Sequence, residues 1–344
     1  MKRTTLDRPA DSTAATSETM KAIVQDEYGS APADVLRLAE VPRPPSTDDE
    51  VLVRVHAASV DRGTWHIMAG LPYPIRVAGF GLRRPNALNP GRSFAGTVEA
   101  VCRDVTGFKP GDEVYGTGEG SFAEYMSARP GRLAAKPANL SFEQAAAVPI
   151  SGQTALQAVR DKAHVQPGQK VLIIGASGGV GTFAVQIAKA FGAEVTGVCS
   201  TAKVEFVRSL GADHVIDYTS EDLADGEHRY DVILDMGGNR RLSHLRRALT
   251  PKGTLVLVGG ETDGRWIGGF DRGPRAQLLS LLVSQKLGTF VAKENTEDLV
   301  ALRELLEAGT IAPAIDQTYP LGEVAAAIRH MVEGQSRGKS VITL

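Results

Sequence analysis

The feature that most constrains this chain is an apolar strand that runs into an almost bare turn and out into a helix. It reads Lys170-Val171-Leu172-Ile173-Ile174-Gly175-Ala176-Ser177-Gly178-Gly179-Val180-Gly181. Beyond the turn, Val180, Phe183, Ala184, Ile187, Ala188 and Phe191 recur at helical spacing and define one apolar face. A strand, a turn with few side chains and a helix N-terminus together make an anion site. The N–H groups of the first helical turn have no partner within the helix, and the macrodipole favours negative charge there. Where Cβ is missing, a pyrophosphate can approach the backbone closely. The pattern departs from G-x-G-x-x-G at its first position, where Ala176 stands. The flanking strand and helix identify the segment as the phosphate turn of a dinucleotide fold.

The chain on either side of this turn has two different grammars. From Met20 to about Ser141 it is strand-like and helix-poor. Val51–Ala57 alternates at Arg54 and His56 like a half-buried strand, Phe94–Val101 is a second, and Glu113-Val114-Tyr115 follows the Lys109–Asp112 turn. Ser121–Met126 repeats the alternation, and short strands cut by Pro and Gly point to a partly open β-barrel. From about Ser141, strands alternate with helices. The strands are Val171–Ile174, Glu194–Val198, His214–Ile216, Val232–Asp235 and Thr254–Val258, with helices at Ala202–Leu210 and Arg241–Leu249. Continuous Val/Ile/Leu runs separated by helices specify a doubly wound parallel sheet covered on both faces. Two amphipathic helices, Thr296–Ala308 and Gly322–Glu333, and a closing strand, Ser340–Thr343, then return to complete the first domain. The expected division is a disordered leader at 1–19, a first catalytic part at 20–141, the nucleotide domain at 142–287 and the return at 288–344.

Composition narrows the function classes. A length of 344 residues suits about two domains. With 38 basic and 40 acidic residues intermixed and a net charge of -2, nothing marks a nucleic-acid or anionic-lipid surface. The leader has no apolar core of the kind a secretory signal carries. No apolar run approaches the roughly 18 residues of a membrane span. Cys102 and Cys199, the only cysteines, argue against a disulfide framework and for a reducing compartment, so a cytoplasmic location is expected.

The ordered set of short motifs resembles the medium-chain dehydrogenase/reductases, on the zinc-independent quinone-oxidoreductase branch. It comprises Ala57-Ala58-Ser59-Val60-Asp61, Pro90-Gly91-Arg92-Ser93-Phe94-Ala95-Gly96, Phe108–Val114, Ser121–Tyr125, Ser151-Gly152-Gln153-Thr154-Ala155, the glycine turn and Gly211–Tyr218. The resemblance covers Met20 to Leu344. It implies a GroES-like barrel domain, a Rossmann domain, an NADPH cleft between them and a homodimer. The apolar run Leu278–Val283, whose other reading is core packing, is where relatives dimerise.

A zinc-dependent relative needs thiolate or imidazole ligands with one open position. Here the first ligand position falls near Val60-Asp61, the Gly-His-Glu motif is replaced by Gly91-Arg92-Ser93, and the structural Cys cluster is missing. The seven histidines are scattered. No metal is expected.

Cofactor choice is set about 20 residues past the glycines, where an acidic residue would bind the 2′-hydroxyl of NAD. This chain has Val198-Cys199-Ser200-Thr201-Ala202-Lys203, with no carboxylate. Ser200 can donate to a phosphate oxygen. Lys203 either supplies charge there or is an ordinary exposed helix lysine. NADPH is expected over NADH. The resemblance adds Tyr218 at the same phosphate, Thr154 near the nicotinamide ribose, and Ser177, Gly178, Gly179 and Val180 around the pyrophosphate. It also implies Gly237, Gly238 and Gly259 beside ribose and nicotinamide, Phe290 and Val291 at the carboxamide, and Lys339 reaching in from the closing segment.

For the chemistry, the candidates are Asp61, Trp65 and Tyr73. Asp61 is a proton relay or a loop carboxylate, and the family's Asn-x-x-Asp is here Asp61 with Thr64. Trp65 is a stacking wall or barrel core. Tyr73 is a proton donor or part of a surface loop, Leu71–Pro74. The stretch Tyr73–Asn89 is expected to cover the cleft and set specificity. Three functions follow: a reductase of quinones or α,β-unsaturated carbonyls, an alcohol dehydrogenase or ketoreductase, and a non-catalytic NADPH-binding sensor or scaffold.

Overall fold

The computed structural model describes residues 18–45, 49–224, 228–260, 264–266, 268–269 and 271–344. Of the expected leader, only residues 18 and 19 lie within these, and Thr19 already opens the first strand.

The first part of the chain contains β1 (Thr19–Gln25), the helical turn α1 (Pro32–Val35), β2 (Leu36–Pro42), β3 (Val51–Ser59) and α2 (Arg62–Ala69). It continues with β4 (Ser93–Val101), β5 (Glu113–Thr117), β6 (Tyr125–Ala128), β7 (Leu133–Ala135) and α3 (Phe142–Ala146). β1 and β2 form an antiparallel ribbon. The larger sheet pairs β3 with β4, β4 with β5 and β5 with β7, and β3 also takes β6. Arg54 and His56 point away from the buried face of β3, as its alternation requires. The strand expected at Ser121–Met126 instead begins at Tyr125. The residues before it are captured by β1, where Ile23 N–H donates to Phe122 O at 2.9 Å and Glu124 N–H to Lys21 O at 3.0 Å.

After α4 (Pro149–Leu156) come β8 (Lys170–Ile174), α5 (Gly179–Ala190), β9 (Glu194–Cys199), α6 (Val204–Ser209) and β10 (His214–Asp217). β11 (Tyr230–Asp235), α7 (Leu242–Ala248), β12 (Leu249–Leu257), α8 (Arg272–Ser280) and β13 (Lys286–Thr289) complete the domain. The six strands are all parallel, in the order β10-β9-β8-β11-β12-β13. The chain reverses direction of winding between β8 and β11, so the crevice outside their C-terminal ends is the switch point where such sheets bind ligands. β13 runs past the expected boundary at 287 and is the sixth strand of this sheet. Leu279 and Val283 pack on the core beside it, whereas Leu281 and Leu282 are 82% and 83% exposed.

The tail then supplies α9 (Thr296–Glu307), β14 (Ile315–Pro320), α10 (Val324–Val332) and β15 (Lys339–Thr343). β15 pairs antiparallel with β3 and parallel with β14, so the tail adds two strands to the barrel sheet. Asn295 caps α9 through Asp298 N–H at 2.7 Å. The segment before it is pinned to α4, with Lys293 N–H donating to Gln157 Oε1 at 3.0 Å and Asn295 N–H to Gln153 Oε1 at 2.9 Å. Among the described residues, no helix is long and apolar enough to cross a membrane.

Candidate active site

The glycine turn sits at the end of β8, and its backbone follows from sterics. Gly175 has φ +82°, where a side chain would be strained, and its N–H and that of Ala176 both donate to Val198 O at 3.1 Å. Gly178 precedes the helix, whose first i→i−4 bond is Thr182 N–H to Gly178 O at 2.9 Å. The N–H groups of Gly179, Val180 and Gly181 therefore precede the helical ladder and are available to an anion. A Cβ on Gly179 would lie 3.0 Å from Lys339 Cδ and 3.1 Å from Ser151 Oγ, so a side chain here would be tight and would push on both. A dinucleotide pyrophosphate fits such a cradle.

Lys339 and Asp61 meet behind the turn. Lys339 is 1% exposed and Asp61 5%. The Lys339 ammonium donates to Asp61 Oδ1, to Val60 O at 2.8 Å and to Ser151 Oγ at 3.2 Å. The Asp61 carboxylate also accepts from Ser93 Oγ at 3.0 Å and from Ser151 Oγ at 2.9 Å. Thr64 Oγ1 accepts from Asp61 N–H at 3.4 Å, which holds the start of α2. Gly338 N–H donates to Ser177 O at 2.9 Å, and Gly338 bridges to Gly178 in parallel fashion. The closing strand thus lies directly against the phosphate turn. Ser93 and Ser151 take part with no role assigned to them by sequence reasoning, although both lie in the quoted motifs.

At the end of β9, Ser200 is half-buried and starts a short helical turn. Lys203 is not a free surface lysine, because its ammonium donates to Gly334 O and Ser336 O, both at 2.7 Å. Burial holds its pKa below the ordinary lysine value, with the nearby Asp316 opposing and Arg337 reinforcing that shift. Arg337 reaches the same place, with Nη2 donating to Ala202 O at 3.3 Å. Tyr218 is half exposed, and the Arg240 guanidinium lies 5.9 Å from its ring centroid. Arg337 and Arg240 are absent from the sequence reasoning. Arg337 stands two residues before Lys339, and that proximity was the available signal. Cys199 is buried, and burial pushes its thiol up to about 11, so it is inert at neutral pH.

Away from the phosphate turn, two loops from different parts of the chain touch. Tyr73 N–H donates to Arg265 O at 2.9 Å. The Tyr73 ring meets Trp266 edge-on at 5.1 Å, and the Arg76 guanidinium lies 4.9 Å from the Tyr73 centroid. Leu71–Pro74 is therefore an interdomain contact as well as a loop. The Tyr73 hydroxyl has no hydrogen bond among the described residues. The 73–89 stretch is tied down by Tyr28, whose single hydroxyl proton is shared between Phe80 O and Gly81 O, each 2.7 Å away. Trp65 packs against the barrel cluster of Met68, Val324 and Ile328, and its Nε1 donates to Ser30 O at 3.3 Å.

The other residues that the resemblance implies have these surroundings. Thr154 donates to Ile150 O at 2.7 Å within α4. Gly237 stands beside Gly175, whose Cβ would come 3.3 Å from Gly237 N. Gly259 N–H donates to Asp235 O at 3.1 Å. Phe290 packs on the main core, and Val291 after it is exposed.

The zinc-ligand positions carry other chemistry. Asp61 is held by Lys339, and Arg92 forms a two-point pair with Glu294 at 2.7 and 2.9 Å. His56 Nε2 pairs with Thr97 Oγ1, His66 Nδ1 with Leu71 O, His244 with Asp222 and His330 with Asp316. Among the described residues, no three His, Cys, Asp or Glu side chains come together as metal ligands.

With this geometry in place, comparison with known proteins is decisive for the family. Residues 47–138 match the family described as alcohol dehydrogenase GroES-like domain, and residues 210–342 match the one described as zinc-binding dehydrogenase. A mitochondrial NAD(P)H oxidoreductase of Mus musculus is 34% identical, over 100% of this chain and 95% of its own length. The 2-methylene-furan-3-one reductase of Solanum lycopersicum is 33% identical, over 94% of this chain and 79% of its own. The solved quinone oxidoreductase from Coxiella burnetii superposes with a TM-score of 0.81 at 30% identity, covering 95% of this chain and 100% of that one. The chain is an oxidoreductase that belongs to the medium-chain dehydrogenase/reductase superfamily, among its quinone-oxidoreductase-like members.

Proposed function

We propose that this protein reduces quinones or α,β-unsaturated carbonyls with NADPH and without a metal. The observation that carries the reading is the convergence of Ser200, Lys203 and Arg337 at the end of β9, on the strand next to the glycine turn. When bound, NADPH supplies the hydride. The chain supplies position and polarity: the α5 N-terminus faces the pyrophosphate, and two cations with Ser200 face a 2′-phosphate. The tomato and Coxiella names support an enone or quinone as acceptor. Hydride addition to a conjugated carbonyl leaves an enolate oxygen that needs a donor, and we assign that role to the Tyr73 hydroxyl, which has no hydrogen bond among the described residues. A simple ketone needs stronger polarisation of its oxygen, which Asp61, already paired with Lys339, does not provide. The two unbridged cysteines support a reducing compartment such as the cytoplasm, though the mouse relative is named as mitochondrial.

NADPH oxidation with 1,4-quinones, enones and ketones tests the reading. Quinone and enone turnover is expected, unchanged by chelators. Faster turnover of ketones, or a requirement for added zinc, would overturn it. In the same assay, Lys203→Glu and Arg337→Ala are expected to raise the KM for NADPH by about tenfold or more and to leave that for NADH within about twofold. Equal losses for both nucleotides would refute the 2′-phosphate assignment.

Homodimerisation is also proposed. Leu281 and Leu282 project from the end of α8, beside β13, the edge strand of the six-stranded sheet. Sedimentation velocity is expected to show a dimer that the double variant Leu281→Glu, Leu282→Glu converts to monomer. A monomeric wild-type chain sinks the idea.

A further inference from the structure

We infer that Asp61 and Lys339 form a charge-neutral clamp that sets how strongly the glycine turn attracts a pyrophosphate, with Asp61 acting as a positioning residue. The inference rests on the nucleotide reading above and assigns Asp61 a role other than proton transfer. All three ammonium donors of Lys339 are engaged, with Val60 O, Asp61 and Ser151 Oγ. A lysine so committed has no N–H left for a ligand. The Asp61 carboxylate accepts from Ser93, Ser151 and Lys339 and is 5% exposed, so its bonds are spent on fixing the clamp.

What Lys339 does present to the turn is its stem. Its Cδ lies where a Cβ on Gly179 would nearly touch it, at the first residue of α5. The charge centre, bonded to the same Ser151 Oγ that a Cβ on Gly179 would meet at 3.1 Å, thus lies close to the first residue of α5. Paired, the two groups add no net charge there. Either one alone would add a full charge beside a dianionic pyrophosphate in a site with little water. The clamp spans six elements: the end of β3 (Val60), the start of α2 (Asp61), the start of β4 (Ser93), α4 (Ser151), β15 (Lys339) and α5 (Gly179). It therefore joins the barrel domain to the nucleotide domain at the phosphate turn.

The two single substitutions must then act in opposite directions. Asp61→Asn keeps the shape, since an amide can accept from Lys339 and donate to Ser93. It leaves the ammonium uncompensated, and nucleotide affinity is expected to rise roughly three- to tenfold. Lys339→Met keeps the stem and leaves the carboxylate, and affinity is expected to fall by a similar factor. The double variant is neutral again, and its affinity returns to within about twofold of wild type. The pyrophosphate is common to both nucleotides, so NADH and NADPH shift alike, whereas the 2′-phosphate variants above separate them. Kd is measured by equilibrium titration and kcat separately. A melting cycle without nucleotide gives the coupling of the pair, with each single variant less stable than the double.

Single variants that shift Kd in the same direction overturn the clamp, because that is the behaviour of a packing defect. An Asp61→Asn protein with unchanged Kd and a collapsed kcat also overturns it, and makes Asp61 a proton relay. Absence of coupling in the melting cycle overturns it independently of any ligand. A wild-type protein that melts with the expected coupling and binds neither nucleotide refutes the functional reading and, with it, the role of the clamp at the phosphate.

Discussion

Gly181→Ala is expected to cost this protein its nucleotide site. A Cβ at Gly181 would lie 2.1 Å from Gly175 O, 2.8 Å from Ala176 Cα and 2.9 Å from Ala176 C. All three are backbone atoms, so no rotamer change relieves the clash. Either the turn opens or the first turn of α5 moves away from β8. Opening the turn breaks the paired bonds of Gly175 and Ala176 to Val198 O and moves Ser177, whose carbonyl holds Gly338. Overpacking a rigid site typically costs up to about 3 kcal/mol, and this one has no soft neighbour to absorb it. Affinity for NADPH and NADH is expected to fall together by about 100-fold or more, which corresponds to about 2.7 kcal/mol at the displaced N–H groups. Gly288→Ala in β13 is the control, where nothing lies within 4 Å of a new Cβ. It is expected to melt near the wild-type temperature and to bind within a few-fold. Calorimetric melting and nucleotide titration of the two variants make the comparison. A Gly181→Ala protein that binds normally would show that the turn tolerates displacement and does not set the cradle.

The parts of this fold that were legible in the sequence are those with local causes. The strand–turn–helix at 170–191 announces itself because missing side chains, an apolar run and a helical stripe are consecutive. The barrel strands are visible through alternation, as at Arg54 and His56. The closing strand is legible because the tail has no other sheet to join. Features made by long-range pairing were not legible. Ser121–Ala123 alternates like a strand, yet β1 claims that backbone from a hundred residues away. β13 is four residues, Lys286–Thr289, with one buried apolar side chain, so no periodicity marks it. At the site, Lys203 could be read as a cation near the second strand, but its bonds to the 334–336 carbonyls depend on how the tail returns. Asp61 could be read as an unusual carboxylate. Its partner, Lys339, is 278 residues away, and nothing between them hints at the pair.

The least legible pair, Asp235 with Arg272, carries the second large effect, and Asp235→Ala is expected to destabilise the chain by about 3–5 kcal/mol. Asp235 ends β11 and is 0% exposed. Its Oδ2 accepts from Arg272 Nη2 at 2.7 Å, and its Oδ1 accepts from Gly238 N–H at 2.9 Å. Arg272 Nη2 also donates to Arg240 O at 2.7 Å, while its Nε and Nη1 have no partner among the described residues. The guanidinium is thus already short of acceptors, and Asp235 is its only counter-charge among the described residues. Removing it strands a buried cation, the costly half of a buried ion pair. The damage is also local to the crevice. Gly238 loses the acceptor that closes the turn after β11, and that turn carries Gly237 next to Gly175 and Arg240 next to Tyr218. Asp235→Asn keeps an acceptor for Gly238 and drops the charge, so it should fall between Asp235→Ala and wild type. Adding Arg272→Met to Asp235→Ala removes the stranded cation and is expected to recover most of the loss, because an apolar side chain suits the burial better than an unpaired ion. Urea denaturation of the four proteins, with the slope checked for constancy, measures this directly. If Asp235→Ala stays within about 1 kcal/mol of wild type, or if Arg272→Met makes it worse, the pair is not holding this end of the sheet.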